Sequence, residues 1–158
     1  MQTSTTRRRW ISSFGALAVL AVATLGFARD FPKDSPKFEK SYRAALAEAK
    51  KSNKPVVLVF SASWCGPCQQ MKHDVYPSEA VKPLQDKFVW AYLDVDDAGN
   101  KKSASEFKVN GIPHIQFLDA AGKPVDKQVG ASDASAFAKK LEEILKKAGA
   151  STAAAASN

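Results

Sequence analysis

The chain has 158 residues, 45% hydrophobic and 25% charged, with a formal net charge of +7 and two cysteines. That length allows one domain with a single core. Beyond residues 1–28 the cations are mostly lysines interleaved with acids, as in Lys139-Lys140-Leu141-Glu142-Glu143, and no arginine-rich stripe carries aromatics there, which argues against a nucleic-acid partner.

Residues 1–28 read as an export signal. Thr6-Arg7-Arg8-Arg9-Trp10 is cationic and free of acids, and Phe14 to Ala28 is apolar apart from Thr24. Gly26 and Ala28 are small residues spaced for cleavage after Ala28. The apolar stretch is short of the roughly 20 residues of a membrane span. Counting from Trp10 reaches that length if Ser12 and Ser13 are tolerated, so an uncleaved anchor is the alternative. Thr6-Arg7-Arg8-Arg9-Trp10-Ile11 is also similar to a twin-arginine signal, and the general secretory route fits equally. Either route predicts a periplasmic protein, in a compartment where disulfides persist. Loss of the segment removes three arginines and takes the net charge from +7 to +4.

The body, residues 29–147, alternates helix and strand. Ser35-Pro36 predicts a helix start, with Phe38, Tyr42, Ala45, Leu46 and Ala49 on its buried face. Asn53-Lys54-Pro55 ends it, and Pro55-Val56-Val57-Leu58-Val59-Phe60-Ser61 is a strand. Gln69 to Tyr76 suits a helix, and a second short helix over Glu79 to Lys87 is expected to be interrupted at Pro83. Phe88 to Val95 is the next strand, and Lys101 to Lys108 a short helix. Ile115-Gln116-Phe117-Leu118 and Pro124 to Val129 flank a turn and predict an antiparallel hairpin. Ser132 or Asp133 caps a closing helix that buries Phe137, Leu141, Ile144 and Leu145. Residues 148–158 are small-residue, low-complexity sequence and are expected to form a disordered tail. The order predicts an α/β fold, a central mixed sheet with helices on both faces.

Both cysteines lie in Trp64-Cys65-Gly66-Pro67-Cys68, between the first strand and a helix. Two thiols so spaced can close and reopen a disulfide, and a strand feeding a CxxC that opens a helix reads as redox. The unpaired N–H groups and positive dipole end of the first turn favour a thiolate on Cys65, the attacking sulfur. Cys68, about one turn further in, attacks a mixed disulfide on Cys65 and releases the partner. Pro67 suits the first turn, where its missing N–H costs nothing. A static disulfide and half of a zinc site are the alternatives. The first closes too short a loop to constrain the unfolded chain much. The second lacks ligands, because His73 falls on a different helix face from Cys65 and reads better as a solvated residue.

The stretch Val59-Phe60-Ser61-Ala62-Ser63-Trp64-Cys65-Gly66-Pro67-Cys68, with Gly111-Ile112-Pro113 later, resembles the active site of the thioredoxin superfamily. The likeness covers about residues 35–147 and implies a thioredoxin-like fold. By it, Cys65 is the nucleophile and Cys68 the resolving thiol, with Trp64, Gly66 and Pro67 supporting them. Pro113 would be cis, and the Ile112 backbone would offer strand-like hydrogen bonds to a bound peptide. Lys54 to Cys65 and Leu93-Asp94-Val95-Asp96 are similar to exported members of the type of the DsbD C-terminal domain.

One departure stands out. The family keeps a buried aspartate six residues before the first cysteine, where this chain has Val59, and a lysine often paired with it falls at Tyr92. The obvious base for Cys68 is therefore missing, with His73, Asp94 or water as substitutes. His114 replaces a common threonine and either touches the substrate groove or ends a strand.

The resemblance implies an exported thiol–disulfide oxidoreductase working without a cofactor through a mixed disulfide. Gly66-Pro67 between the cysteines favours a reductase of cysteine-containing client proteins, supplied with electrons by a DsbD-like membrane thiol carrier. A disulfide oxidase or isomerase is one alternative, and a binding module with an idle CxxC is another. A monomer is expected.

Overall fold

The sheet is built outward from a strand that meets no water. β2, Val56–Ser61, is buried at all six positions, as its β-branched and aromatic run requires of a strand covered on both faces. It pairs in parallel with β3, Val89–Asp94, from Val56 opposite Val89 to Ser61 opposite Asp94. On its other side it pairs antiparallel with β4, His114–Leu118. The two-residue β1, Phe38–Glu39, adds to β3, and β5, Pro124–Val129, adds to β4, so the order is β1-β3-β2-β4-β5. This is the expected mixed sheet and the thioredoxin-like fold. The computed structural model describes residues 31–156, with side chains as far as Gly149, so the expected export signal lies outside the described residues.

One face of the sheet carries α1, Tyr42–Ser52, and α4, Lys101–Glu106, packed on Leu58, Phe60, Ala91 and Leu93. The other carries the helix after the cysteines, α3 (Lys82–Gln85) and α5 (Ala134–Ala156), packed on Val57, Val59, Trp90 and Phe117.

Several boundaries differ from the sequence expectation, each for a local reason. The first helix starts at Tyr42, with Ser41 rather than Ser35 as its cap: the Ser41 hydroxyl accepts the Ala44 N–H at 3.1 Å. Phe38 is drawn into β1 and packs edge-on against Trp90 and Tyr92, which overrides its helical spacing from Tyr42. Asn53 ends α1 in the left-handed conformation, φ 54°. Pro83 does not interrupt a helix; it lies in the first turn of α3, where no N–H is needed. Asp133, not Ser132, caps the closing helix, accepting the Ala136 N–H at 2.8 Å. That helix continues to Ala156 through most of the stretch expected to be a disordered tail, because alanine has the highest helix propensity of all residues.

Candidate active site

β2 delivers the chain to a turn in which the Cys65 N–H donates to the Ala62 carbonyl at 3.3 Å. α2, Gly66–Gln70, begins immediately after and widens into a π-helical turn over Met71–Val75. Cys65 is the N-cap of α2, in extended conformation, and its sulfur accepts the Cys68 N–H at 3.2 Å. Pro67 occupies the first turn. The two cysteines are joined by a disulfide, with 5.2 Å between their α-carbons.

Their exposure is unequal: 5% for Cys65 and 1% for Cys68. Ala62, Val95 and Ile112 pack around the pair. Both sulfurs lie in these apolar surroundings, and the Cys65 sulfur, at the cap, has the N–H groups of the helix start, which suits it to attack and Cys68 to resolution. A Cβ at Gly66 would meet nothing within 4 Å, so the helix start faces open space.

The residues singled out from sequence come together here. Trp64 is 69% exposed at the rim, and its indole N–H donates to Asp96 Oδ2 at 2.8 Å. Ile112 packs against the cysteines, and the Ile112–Pro113 peptide bond is cis. The Pro113 carbonyl accepts the Gly130 N–H at 2.8 Å, which ties this loop to the end of β5. Sequence reasoning missed Gln69, whose amide donates to the Ala62 carbonyl at 3.0 Å and clamps the helix to the turn before Cys65. It also missed Asp96, 32 residues from the tryptophan it holds.

His73 is exposed, as a solvated helix residue would be. His114 opens β4 and is buried, with its ring edge-on to Phe60 at 5.8 Å and neither ring nitrogen hydrogen-bonded. Burial pushes its pKa below the usual imidazole value. Val59 lies within the core, opposite Tyr92, so no carboxylate stands at that position; the Tyr92 hydroxyl is instead hydrogen-bonded to that of Ser61. Asp94 Oδ1 accepts the Asp96 N–H at 3.0 Å, serving the turn after β3. Among the described residues, no group of three His, Cys, Asp or Glu side chains is placed to hold a metal ion.

A family model described as a thioredoxin-like domain matches residues 42–145. A chloroplastic thioredoxin-like protein of Oryza sativa is 34% identical over 75% of this chain, which spans 43% of that relative's length. The solution structure of a thioredoxin from Thermus thermophilus superposes with a TM-score of 0.67 at 30% identity, covering 75% of this chain and 93% of that one. The oxidised C-terminal domain of DsbD from Neisseria meningitidis superposes with a TM-score of 0.56 at 22% identity, over 68% of this chain and 98% of the domain, a likeness of fold. With the family match covering strands β2 to β5, the cysteine turn and the first half of the closing helix, the chain belongs to the thioredoxin-like family.

Proposed function

We infer that this protein is an exported reductase of disulfides in periplasmic client proteins. The observation that carries the reading is the disulfide pair at one helix start: Cys65 as the cap, its sulfur accepting the Cys68 N–H, and Cys68 within the first turn behind it. Cys65 thiolate attacks a client disulfide and forms a mixed disulfide. Cys68 then attacks Cys65, closes the internal disulfide and releases the reduced client. Trp64, Gly66 and Pro67 shape the approach to Cys65, while Ile112 and Pro113 receive the client backbone. The oxidised protein needs two electrons to return, and a DsbD-like membrane thiol carrier fits that need. The cationic and apolar character of residues 1–28 supports export.

The test is the reduction potential of the Cys65–Cys68 couple against glutathione or dithiothreitol buffers, together with trapping. A value near about −270 mV supports the reductase, and one near about −120 to −180 mV replaces it with an oxidase or isomerase. Cys68→Ser is expected to accumulate a mixed disulfide with clients in cells, and Cys65→Ser to accumulate none. A pair that cannot be cycled would leave only a binding role.

A further inference from the structure

Resolution requires Cys68 to lose its proton at a site only 1% exposed. A thiolate formed away from bulk water needs a hydrogen-bond donor. Val57, Val59 and Tyr92 pack with Met71 and Val75 of the helix that follows the cysteines. Side chains two apart on a strand share a face, so Ser61 stands on that same face, two residues nearer the cysteine turn. Cys68 precedes Met71 by three residues, close to one helical turn of the same helix, and packs with Ala62, the neighbour of Ser61 in the chain.

There Ser61 is fully buried, and its hydroxyl shares a hydrogen bond with the Tyr92 hydroxyl in which either oxygen can be the donor. Phe31 and Phe38 hold the Tyr92 ring edge-on, at 5.0 and 5.7 Å. The other buried polar side chains are engaged or elsewhere. Asn100 donates to the Asp94 carbonyl, Gln116 to the Asp126 carbonyl of the neighbouring β5, and Asp119 accepts the Ala121 N–H of its own turn. His114 lies against Phe60, on the opposite face.

The geometry points to Ser61, oriented by Tyr92, as the hydrogen-bond donor that stabilises the Cys68 thiolate during resolution. This rests on the exchange reaction proposed above. While the disulfide is closed, the Ser61 hydroxyl donates to Tyr92. When Cys68 is a thiolate, Tyr92 donates to Ser61 Oγ and the Ser61 hydrogen turns to the sulfur. The Cys68 proton leaves to water. Its sulfur bonds to Cys65 Sγ, the bond from Cys65 to the client breaks, and the client sulfur departs with the electron pair and takes a proton from water. The hydroxyl pair undergoes no net proton change. Tyr92 is a positioning residue, acting through Ser61.

The experiment uses the full chain carrying Cys65→Ala, which leaves Cys68 as the single thiol. Thiolate formation is followed by ultraviolet absorbance against pH, alone and combined with Ser61→Ala, Ser61→Thr or Tyr92→Phe. Ser61→Ala and Tyr92→Phe are expected to raise the midpoint by about one pH unit, about tenfold less thiolate at a fixed pH. Ser61→Thr, which keeps the hydroxyl, is expected to leave it in place. An unmoved midpoint in Ser61→Ala overturns the inference, and so does an equal shift in Ser61→Thr. The serine series decides the matter if Tyr92→Phe does not fold. Cycling of the unsubstituted dithiol against glutathione separates the two levels. If it cycles and the midpoints do not move, only this inference fails; if it does not cycle, the exchange reading fails and takes this inference with it.

Discussion

All six residues of β2 are buried, whereas β5, two places along the same sheet, alternates between half-buried and exposed positions. β2 is held by apolar contact with helices on both faces. β5 is held by its ladder to β4 and by Val125 against the core, and its outer side adds charge: Asp126 receives Lys147 at 2.7 Å and Lys140 at 3.5 Å, both from α5. Its Pro124 and exposed Lys127 suit an edge strand, where an unguarded row of backbone groups invites pairing with another chain. The two disulfide-bonded cysteines follow the first kind of strand, not the second. A disulfide that opens and closes needs its two sulfurs returned to the same place each cycle, and packing on two faces supplies that more firmly than solvent-screened ion pairs do.

The contrast can be broken by substitution. Leu58→Ala, at the middle of β2, is expected to cost about 2–5 kcal/mol in chemical denaturation. Lys127→Ala, on the exposed edge, should stay within about 0.5 kcal/mol. Equal losses would mean that the edge shares the load of the centre.

His114 sharpens the comparison because it joins the two regions, opposite Phe60 of β2 and Val129 of β5. Its folded pKa lies below the ordinary 6.5, pushed down mainly by burial, with the Lys127 charge acting in the same direction. The unfolded chain therefore takes up this proton before the folded one does. The His114 contribution to stability falls as pH drops below about 6.5 and continues to fall until the folded pKa is passed. The urea midpoint of the parent is expected to fall relative to that of His114→Leu as the medium becomes acidic across that window. Parallel curves would show that the imidazole stays neutral or is solvated on opening.

The smallest effect belongs to Asp126. Its pKa is held below the usual carboxylate value, mainly by Lys147. A depressed folded pKa gives a contribution present above the unfolded value of 3.8 and lost as pH falls through the folded one. Asp126→Asn is expected to lower Tm slightly at neutral pH, with the difference shrinking both in high salt and in acid. A difference that survived high salt would assign β5 a buried, rather than screened, attachment.

Much of the site was legible because its parts are local. Cys65, Pro67 and Cys68 carry the chemistry of a helix start within four residues, and the apolar run of β2 announces a strand buried on both sides. Gly111-Ile112-Pro113 was readable as a partner loop only through resemblance, since nothing in those three residues points at a cysteine far upstream. Local reading failed where a distant surface decided the outcome. Phe38 has the spacing of a helix residue, yet the open edge of β3 takes it as a strand. Pro83 looks like a breaker but begins a helix.

By itself, the sequence determined the period of the long elements, most of their buried faces and the paired cysteines at a helix start, because these follow from side-chain chemistry repeated at short range. Tertiary structure alone decided that Tyr92 reaches Ser61 from 31 residues away, that Asp96 holds Trp64, and that His114 is sealed inside. Those contacts depend on strand register and on which face each side chain takes, and both are settled only when the sheet and its helices pack together.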